Sequence, residues 1–272
     1  MSHLNQKPKM NHEDLSLLRA AAENCSAELL KADSHVSMDP APMDPLPQGQ
    51  AERRKTLYFV RHGRSIGNEL DIMGGWTDVP LSPAGLAELA EFKEKVRYPQ
   101  ADCFYHSGLK RAKDTLNFLY PGMLEKARED WRFSESFFGI LEGKNLESDF
   151  LDRFFRNFYH DTPQGYGEET FADSSRRVAE ASLEVVDRLI DEKLSSALIF
   201  CHYGCIKAAL RAFSSLPLDE LLNVHIPNGS LWKFDFEPKG HLWACTEIYQ
   251  LEAQHFEPIN PEPDPDGKLK LA

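Results

Sequence analysis

The chain has 272 residues, 42% of them hydrophobic and 27% charged, with a formal net charge of −12. That length suits one large domain or two small ones, and the composition is that of an ordinary globular protein. The acidic balance argues against general nucleic-acid or anionic-membrane binding, both of which need a basic surface.

Residues 1–55 read as a leader. The stretch 13–31 is helix-compatible, with Leu15, Leu17, Leu18, Ala22, Leu29 and Leu30 giving an uneven apolar face. Residues 38–50 are proline-rich and read as an extended linker. Residues 1–50 are therefore expected to be an appendage or a segment that docks a protein partner. The N-terminus lacks the basic start and apolar core of a secretory signal. No stretch reaches the roughly 18 apolar residues of a membrane helix, so no membrane partner is expected and the cytoplasm is the default location.

The domain proper is read as residues 56–251. A strand at 56–60 (Thr-Leu-Tyr-Phe-Val) comes first. A helix follows at about 83–97, with Ser82 as N-cap and Pro83 at its first position. Next come a strand at 102–105 and a helix at about 109–120. After an irregular middle, a long helix at about 172–193 carries Val178, Ala181, Val185 and Leu189, flanked by Val186 and Ile190. Arg177 on that helix reads as an exposed charge, with a substrate-facing role as the alternative. A strand at 197–201 precedes a helix at about 204–215, where Ile206, Ala209, Leu210 and Phe213 recur at helical spacing. Runs at about 230–236 and 243–250 are strand-like. Residues 252–272 read as an acidic, proline-rich, mobile tail. Strand–helix alternation with unbroken apolar strands predicts an α/β three-layer sandwich with a mostly parallel central sheet.

Five cysteines (Cys25, Cys103, Cys201, Cys205 and Cys245) are odd in number and sparsely spaced, and read as free thiols in a reducing compartment. Cys201-His202-Xxx-Xxx-Cys205 has no second ligand cluster to complete a zinc site.

Three strand-to-helix junctions hold the polar residues that matter. Arg61, His62, Gly63, Arg64, Ser65 and Asn68 follow the first strand. Ser107 and, one turn later, Arg111 follow the second. His202, Tyr203 and Gly204 follow strand 197–201. Ligands bind outside the carboxyl ends of such strands. Arginines offer planar donors suited to phosphate oxygens, and helix N-termini add free N–H groups. The sum is an anion pocket with two imidazoles and no matching carboxylate cluster for a metal.

Leu57-Tyr-Phe-Val-Arg61-His62-Gly63-Arg-Ser65-Ile-Gly-Asn68 resembles the signature of the histidine phosphatase superfamily, phosphoglycerate mutase-like branch. Four further segments are similar and stand in the same order: Gly75–Gly85, Tyr105–Thr115, Glu135–Gly143 and Phe200–Gly204. The resemblance covers about residues 56–250. It implies a phosphoglycerate mutase-like fold and a small phosphorylated substrate, with no metal and no organic cofactor. It implies His62 as the nucleophile that forms a phosphohistidine. Arg61, Arg111 and His202 would hold the phosphoryl oxygens, with Asn68 as a neutral donor and Gly63 allowing close approach. Glu135 would be the proton donor, with Glu142 and Glu147 as the alternatives in its neighbourhood. Ser65 and Ser107 are read either as phosphate contacts or as helix caps.

The cofactor-dependent mutases of this family carry an Arg directly after the catalytic Glu, then a basic segment. Here Ser136 follows Glu135, and 146–152 is acidic. The expectation is therefore a metal-independent phosphomonoester hydrolase. The alternatives are a phosphoglycerate mutase-type phosphoryl transfer, which the mutase-like run Gly75–Asp78 keeps open, and a non-catalytic phosphate-binding or scaffold module. Specificity would lie in a lid formed by about residues 143–171. There Phe154, Phe155, Phe158 and Tyr159, with few cations, hint at a small or moderately apolar phosphomonoester, although their spacing also suits core packing.

Overall fold

Strand β1 (Lys55–Arg61) lies in the middle of a seven-stranded sheet of order β3-β2-β4-β1-β5-β6-β7. The computed structural model describes residues 54–95, 98–239, 242–252 and 255–258. The expected leader helix and proline-rich linker lie outside the described residues, as does the tail beyond 258. The other strands are β2 (Cys103–His106), β3 (Arg128–Glu129), β4 (Ser196–Cys201), β5 (Leu231–Lys239), β6 (Leu242–Glu252) and β7 (His255–Pro258). The expected core strands are all present, within a residue or two except where β5 runs on to Lys239.

The sheet has the expected parallel centre, extended on one side by antiparallel strands. β1, β2, β3 and β4 are parallel, but β5 pairs antiparallel with β1 and is followed by antiparallel β6 and β7. β7 also falls in the stretch expected to be a mobile tail.

Seven helices are described: α1 (Ile66–Glu69), α2 (Pro83–Lys95), α3 (Lys110–Leu119), α4 (Ser148–Tyr159), α5 (Phe171–Asp191), α6 (Tyr203–Phe213) and α7 (Leu218–Asn223). Side chains alternate across a strand, so the central strands feed two cores. Leu57, Phe59, Ala197 and Ile199 face α5 and α6 through Val178, Val185, Ile206 and Leu210. Tyr58, Val60, Leu198 and Phe200 face α3 through Ala112, Leu116 and Leu119. Each fully buried Phe, Leu or Ile contributes about 1.5–3 kcal/mol by leaving water. These are the three expected layers. Ile190, expected beside the apolar face of α5, is 39% exposed.

α4 is absent from the sequence-based expectation, although its phenylalanines stand at helical spacing. Phe154 and Phe158 are buried in the α5–α6 core, with Phe138 edge-on to both. These two rings are core, so they do not form a substrate surface.

Candidate active site

Strands β2, β4 and β1 are neighbours and parallel, with Arg61 beside Cys201 and His106 beside Phe200. Their carboxyl ends therefore deliver Arg61-His62, Ser107 and His202 to one edge. The α3 helix that follows β2 brings Arg111 within its first turn. His62, Ser107, Arg111 and His202 are all buried.

The hydrogen bonds define the two imidazoles. His62 Nδ1 lies 2.6 Å from the Gly63 carbonyl and donates to it. Its Nε2 is thereby left with a lone pair, toward which Arg111 Nε points at 3.3 Å. The same Arg111 N–H reaches His202 Nδ1 at 3.2 Å. His202 Nε2 then donates to Ser107 Oγ at 2.7 Å. Both rings are neutral in this arrangement. Burial, with Arg111 next, pushes each imidazole well below its ordinary pKa, and Arg61 adds to this. The ring centroids are 5.1 Å apart. Arg111 is fixed by its remaining nitrogens, which donate to the Thr77 and Gly75 carbonyls at 2.8 and 2.7 Å.

Arg61 donates through Nη1 to the Ile226 carbonyl at 2.5 Å, and its guanidinium lies 5.2 Å from the centre of the Tyr203 ring. Its Nε is buried with no hydrogen-bond partner among the described residues. An unpaired buried donor costs about 1–3 kcal/mol, which an anionic oxygen would relieve. Asn68 and Ser65 are engaged in a different task. Ser65 caps α1 and Asn68 Oδ1 accepts from the Ser65 backbone N–H at 3.0 Å, a reciprocal capping box. Ser65 is thus a cap. Gly63 has no positive φ. A Cβ there would stand 2.4 Å from Leu89 Cδ1, so a larger residue would have to displace that side chain, and the Gly63 N–H donates to Thr115 Oγ1. A cavity of about 570 Å³ opens beside Arg61, lined also by Arg64, Asn68, Glu88, Phe92 and His225.

Glu135 follows a single 3-10 turn, Trp131–Phe133. Its Oε1 accepts from the Ser136 N–H at 2.9 Å and its carboxyl also takes the Gly204 N–H, in the first turn of α6. Although the residue as a whole is half-buried, burial of the carboxyl raises its pKa. The two backbone N–H groups, Arg111 and Arg61 oppose that rise only in part. The Glu135 backbone is held too. Its carbonyl accepts from Trp76 Nε1 at 2.7 Å and lies 3.4 Å from Arg177 Nη2.

Arg177 is buried, contrary to the exposed charge expected of it. It donates to the carbonyls of Arg132 and Ser134 at 2.6 and 3.2 Å, and pairs with Glu169 at 2.6 Å. Glu169 in turn accepts from the Phe137 N–H at 2.9 Å. Arg177 thus clamps the segment on both sides of Glu135. Glu142, the alternative acid, joins the Trp76 and Phe138 N–H groups through Oε1 at 2.9 and 3.0 Å. Burial pushes it up to about 7. Gly75 makes room for it at φ +48, where a Cβ would stand 2.0 Å from Oε1. Glu147, the other alternative, precedes α4 and is exposed.

His106 is buried beside Ser107 and accepts from the Gly108 N–H at 3.1 Å, a turn role. Cys201 and Cys205 are buried free thiols in the α5–α6 core. Among the described residues no three His, Cys, Asp or Glu side chains are grouped to hold a metal. No described helix is long and apolar enough to cross a membrane.

Residues 57–248 match the family profile of the histidine phosphatase superfamily (branch 1). The 2,3-bisphosphoglycerate-dependent phosphoglycerate mutase of Bifidobacterium longum (strain DJO10A) is 27% identical over 237 residues, covering 75% of this chain and 89% of that one. The enzyme of the same name from Streptococcus equi subsp. zooepidemicus (strain MGCS10565) is 28% identical over 222 residues, covering 69% and 96%. Among solved structures, Bacillus stearothermophilus YhfR superposes with a TM-score of 0.59 at 27% identity, covering 71% of this chain and 95% of that one.

Proposed function

This chain belongs to the histidine phosphatase superfamily, branch 1, and we propose that it hydrolyses phosphomonoesters through a phosphohistidine on His62. The observation that carries the reading is the pairing of a neutral His62, its Nε2 lone pair oriented by the Nδ1 bond to Gly63, with the Arg111 N–H that it shares with His202.

In the first step His62 Nε2 attacks phosphorus and the ester P–O bond breaks. Glu135 gives its proton to the departing oxygen, which leaves as an alcohol. Arg61, Arg111 and His202 hold the three equatorial oxygens as charge gathers on them. The orphaned Arg61 Nε is a donor suited to that task. In the second step water attacks the phosphohistidine, the Nε2–P bond breaks, and the water's proton passes to Glu135. Inorganic phosphate leaves and Glu135 is again protonated. No step calls for a metal. The role of Asn68 narrows to its amide nitrogen, because its Oδ1 is committed to the cap.

Water as acceptor is supported by the surroundings of Glu135. Ser136 stands after it, buried and bonded to Ser174 Oγ at 3.1 Å. The nearby guanidiniums of Arg132 and Arg177 are paired with Asp130, Glu184 and Glu169. A second phosphate would want such cations free. The names of the curated relatives favour a second reading, in which a hydroxyl of a bound phosphoglycerate replaces water as acceptor. Assay of aryl phosphate hydrolysis with chelator present, beside phosphate transfer between phosphoglycerates, separates the two. Phosphate release without transfer supports the first reading, and transfer primed by a bisphosphate supports the second.

A further inference from the structure

Resting on that phosphohistidine reading, we propose that Trp76, Trp131 and Phe137 form a subsite for an aryl or similarly flat apolar leaving group on the acid side of the phosphate. Trp76 spans the site. Its flanking carbonyls, of Gly75 and Thr77, hold Arg111, and its indole N–H holds the Glu135 carbonyl. Trp131 meets Trp76 edge-on at 5.9 Å between ring centres, and Phe137 lies 5.0 Å away. Three rings therefore converge where the phosphate-holding arginine meets the proton donor.

Trp131 is 53% exposed, although large aromatic rings are usually well buried. The Arg177 guanidinium lies 5.9 Å from the centre of its ring. That contact and the T-shaped contact with Trp76 fix the ring, and half of its surface still faces outward. A rigid, partly exposed tryptophan offers contact area at little entropic cost on binding.

The occupant follows from the chemistry. Glu135 has to reach the oxygen that leaves, so the group carrying that oxygen must lie on the Glu135 side of phosphorus. The cavity beside Arg61 is lined by neither Glu135 nor any of these three rings. An anionic leaving group would find the two nearby guanidiniums already paired. A flat apolar group meets ring faces and edges, contacts that aromatic pairs favour.

The test compares benzylphosphonate with methylphosphonate, which carry the same headgroup and do not turn over. Calorimetry on the full chain gives the ratio of their affinities in the wild type, Trp131→Ala and Trp131→Phe. The expected ratio is about tenfold in favour of benzyl in the wild type. It falls toward one in Trp131→Ala and is largely kept in Trp131→Phe. A wild-type ratio near one, or a ratio unchanged by Trp131→Ala, overturns the subsite. Binding does not depend on turnover. A chain that binds benzylphosphonate tightly yet releases no phosphate from any ester would refute hydrolysis and keep the subsite. Phosphate release with no benzyl preference would do the reverse.

Discussion

The carboxyl of Glu135 occupies the space that a side chain on Gly204 would need: a Cβ at Gly204 would stand 2.0 Å from Glu135 Oε1. The nucleophile-side and acid-side halves of the site are thus fitted together by an absent methyl group. Gly204 follows Tyr203 at the start of α6, and its N–H serves the same carboxyl. Helix propensity alone would favour alanine here by about 1 kcal/mol.

Gly204→Ala is therefore expected to lower kcat by about 100-fold while the protein stays folded, because a displaced general acid forfeits a factor of about 10²–10⁴. Steady-state kinetics beside a thermal melt checks this. Retained kcat would show that the carboxyl has no part in the rate.

The pH profile has a defined shape. His62 must be neutral, and its pKa lies well below the ordinary value because of burial, then Arg111 and Arg61. Glu135 must be protonated, and burial raises its pKa. Activity should persist into mildly acid solution and fall as pH rises through the Glu135 pKa. Glu135 serves both steps, so the first is isolated in kcat/KM. Glu135→Gln should cost about 10²–10⁴ in kcat/KM for alkyl phosphates and much less for a 4-nitrophenyl ester, whose leaving oxygen needs no proton. An equal loss on both substrates would contradict the role of Glu135.

Anion binding should take up a proton. Arg111 Nε–H now faces Nδ1 of His202. A dianion placed between them favours a donor at that nitrogen and raises the His202 pKa from its depressed position. Calorimetry of sulfate binding in mildly acid buffers of different ionisation enthalpy should show net proton uptake. Heats independent of the buffer would count against it.

Much of the fold was legible because the central strands are unbroken apolar runs ending in charged or aromatic punctuation. Leu57–Val60 before Arg61-His62 and Ala197–Cys201 before His202 place both histidines at one sheet edge once the strands are parallel. The orientation of the last strands was legible too, although their composition alone reads only as strand-like. Runs at 230–236 and 243–250 are too close for the crossover of a dozen or more residues that parallel pairing needs. That spacing was the available signal. The burial of Arg177 was missed. It lies three residues after Ser174 and four before Ala181, both buried on the inner stripe of α5, and charge alone argued for the surface. The Ser107–His202 bond left no trace, because residues 95 apart carry no periodic sign of contact.

Arg177→Ala should destabilise the fold by about 1–3 kcal/mol, since half-buried Glu169 would keep only the Phe137 N–H among the described residues, and the buried carbonyl of Ser134 would lose a donor. Arg177→Lys should recover part of the stability but less of kcat, as one ammonium cannot reach the carbonyls of Arg132, Ser134 and Glu135 together. Chemical denaturation and kinetics on the two variants give both quantities. A fully active Arg177→Lys would reduce Arg177 to a packing residue.

Glu142 holds its proton more tightly in the folded state than in the unfolded one, at about 7. Its contribution to stability is therefore complete below the ordinary carboxylate range and is lost as pH rises toward and through 7. The wild-type Tm should fall between pH 5 and pH 8, and Glu142→Gln should flatten that fall. An unchanged slope would show that Glu142 does not titrate there.

The most direct test of the account is trapping of the covalent intermediate. The protein and its His62→Ala variant are mixed with a ³²P-labelled phosphomonoester in chelator, quenched in base within milliseconds, and digested for peptide mapping. A base-stable, acid-labile label is expected on the peptide that carries His62, and none in the variant. Turnover with no label on His62, or equal label in the variant, would contradict it.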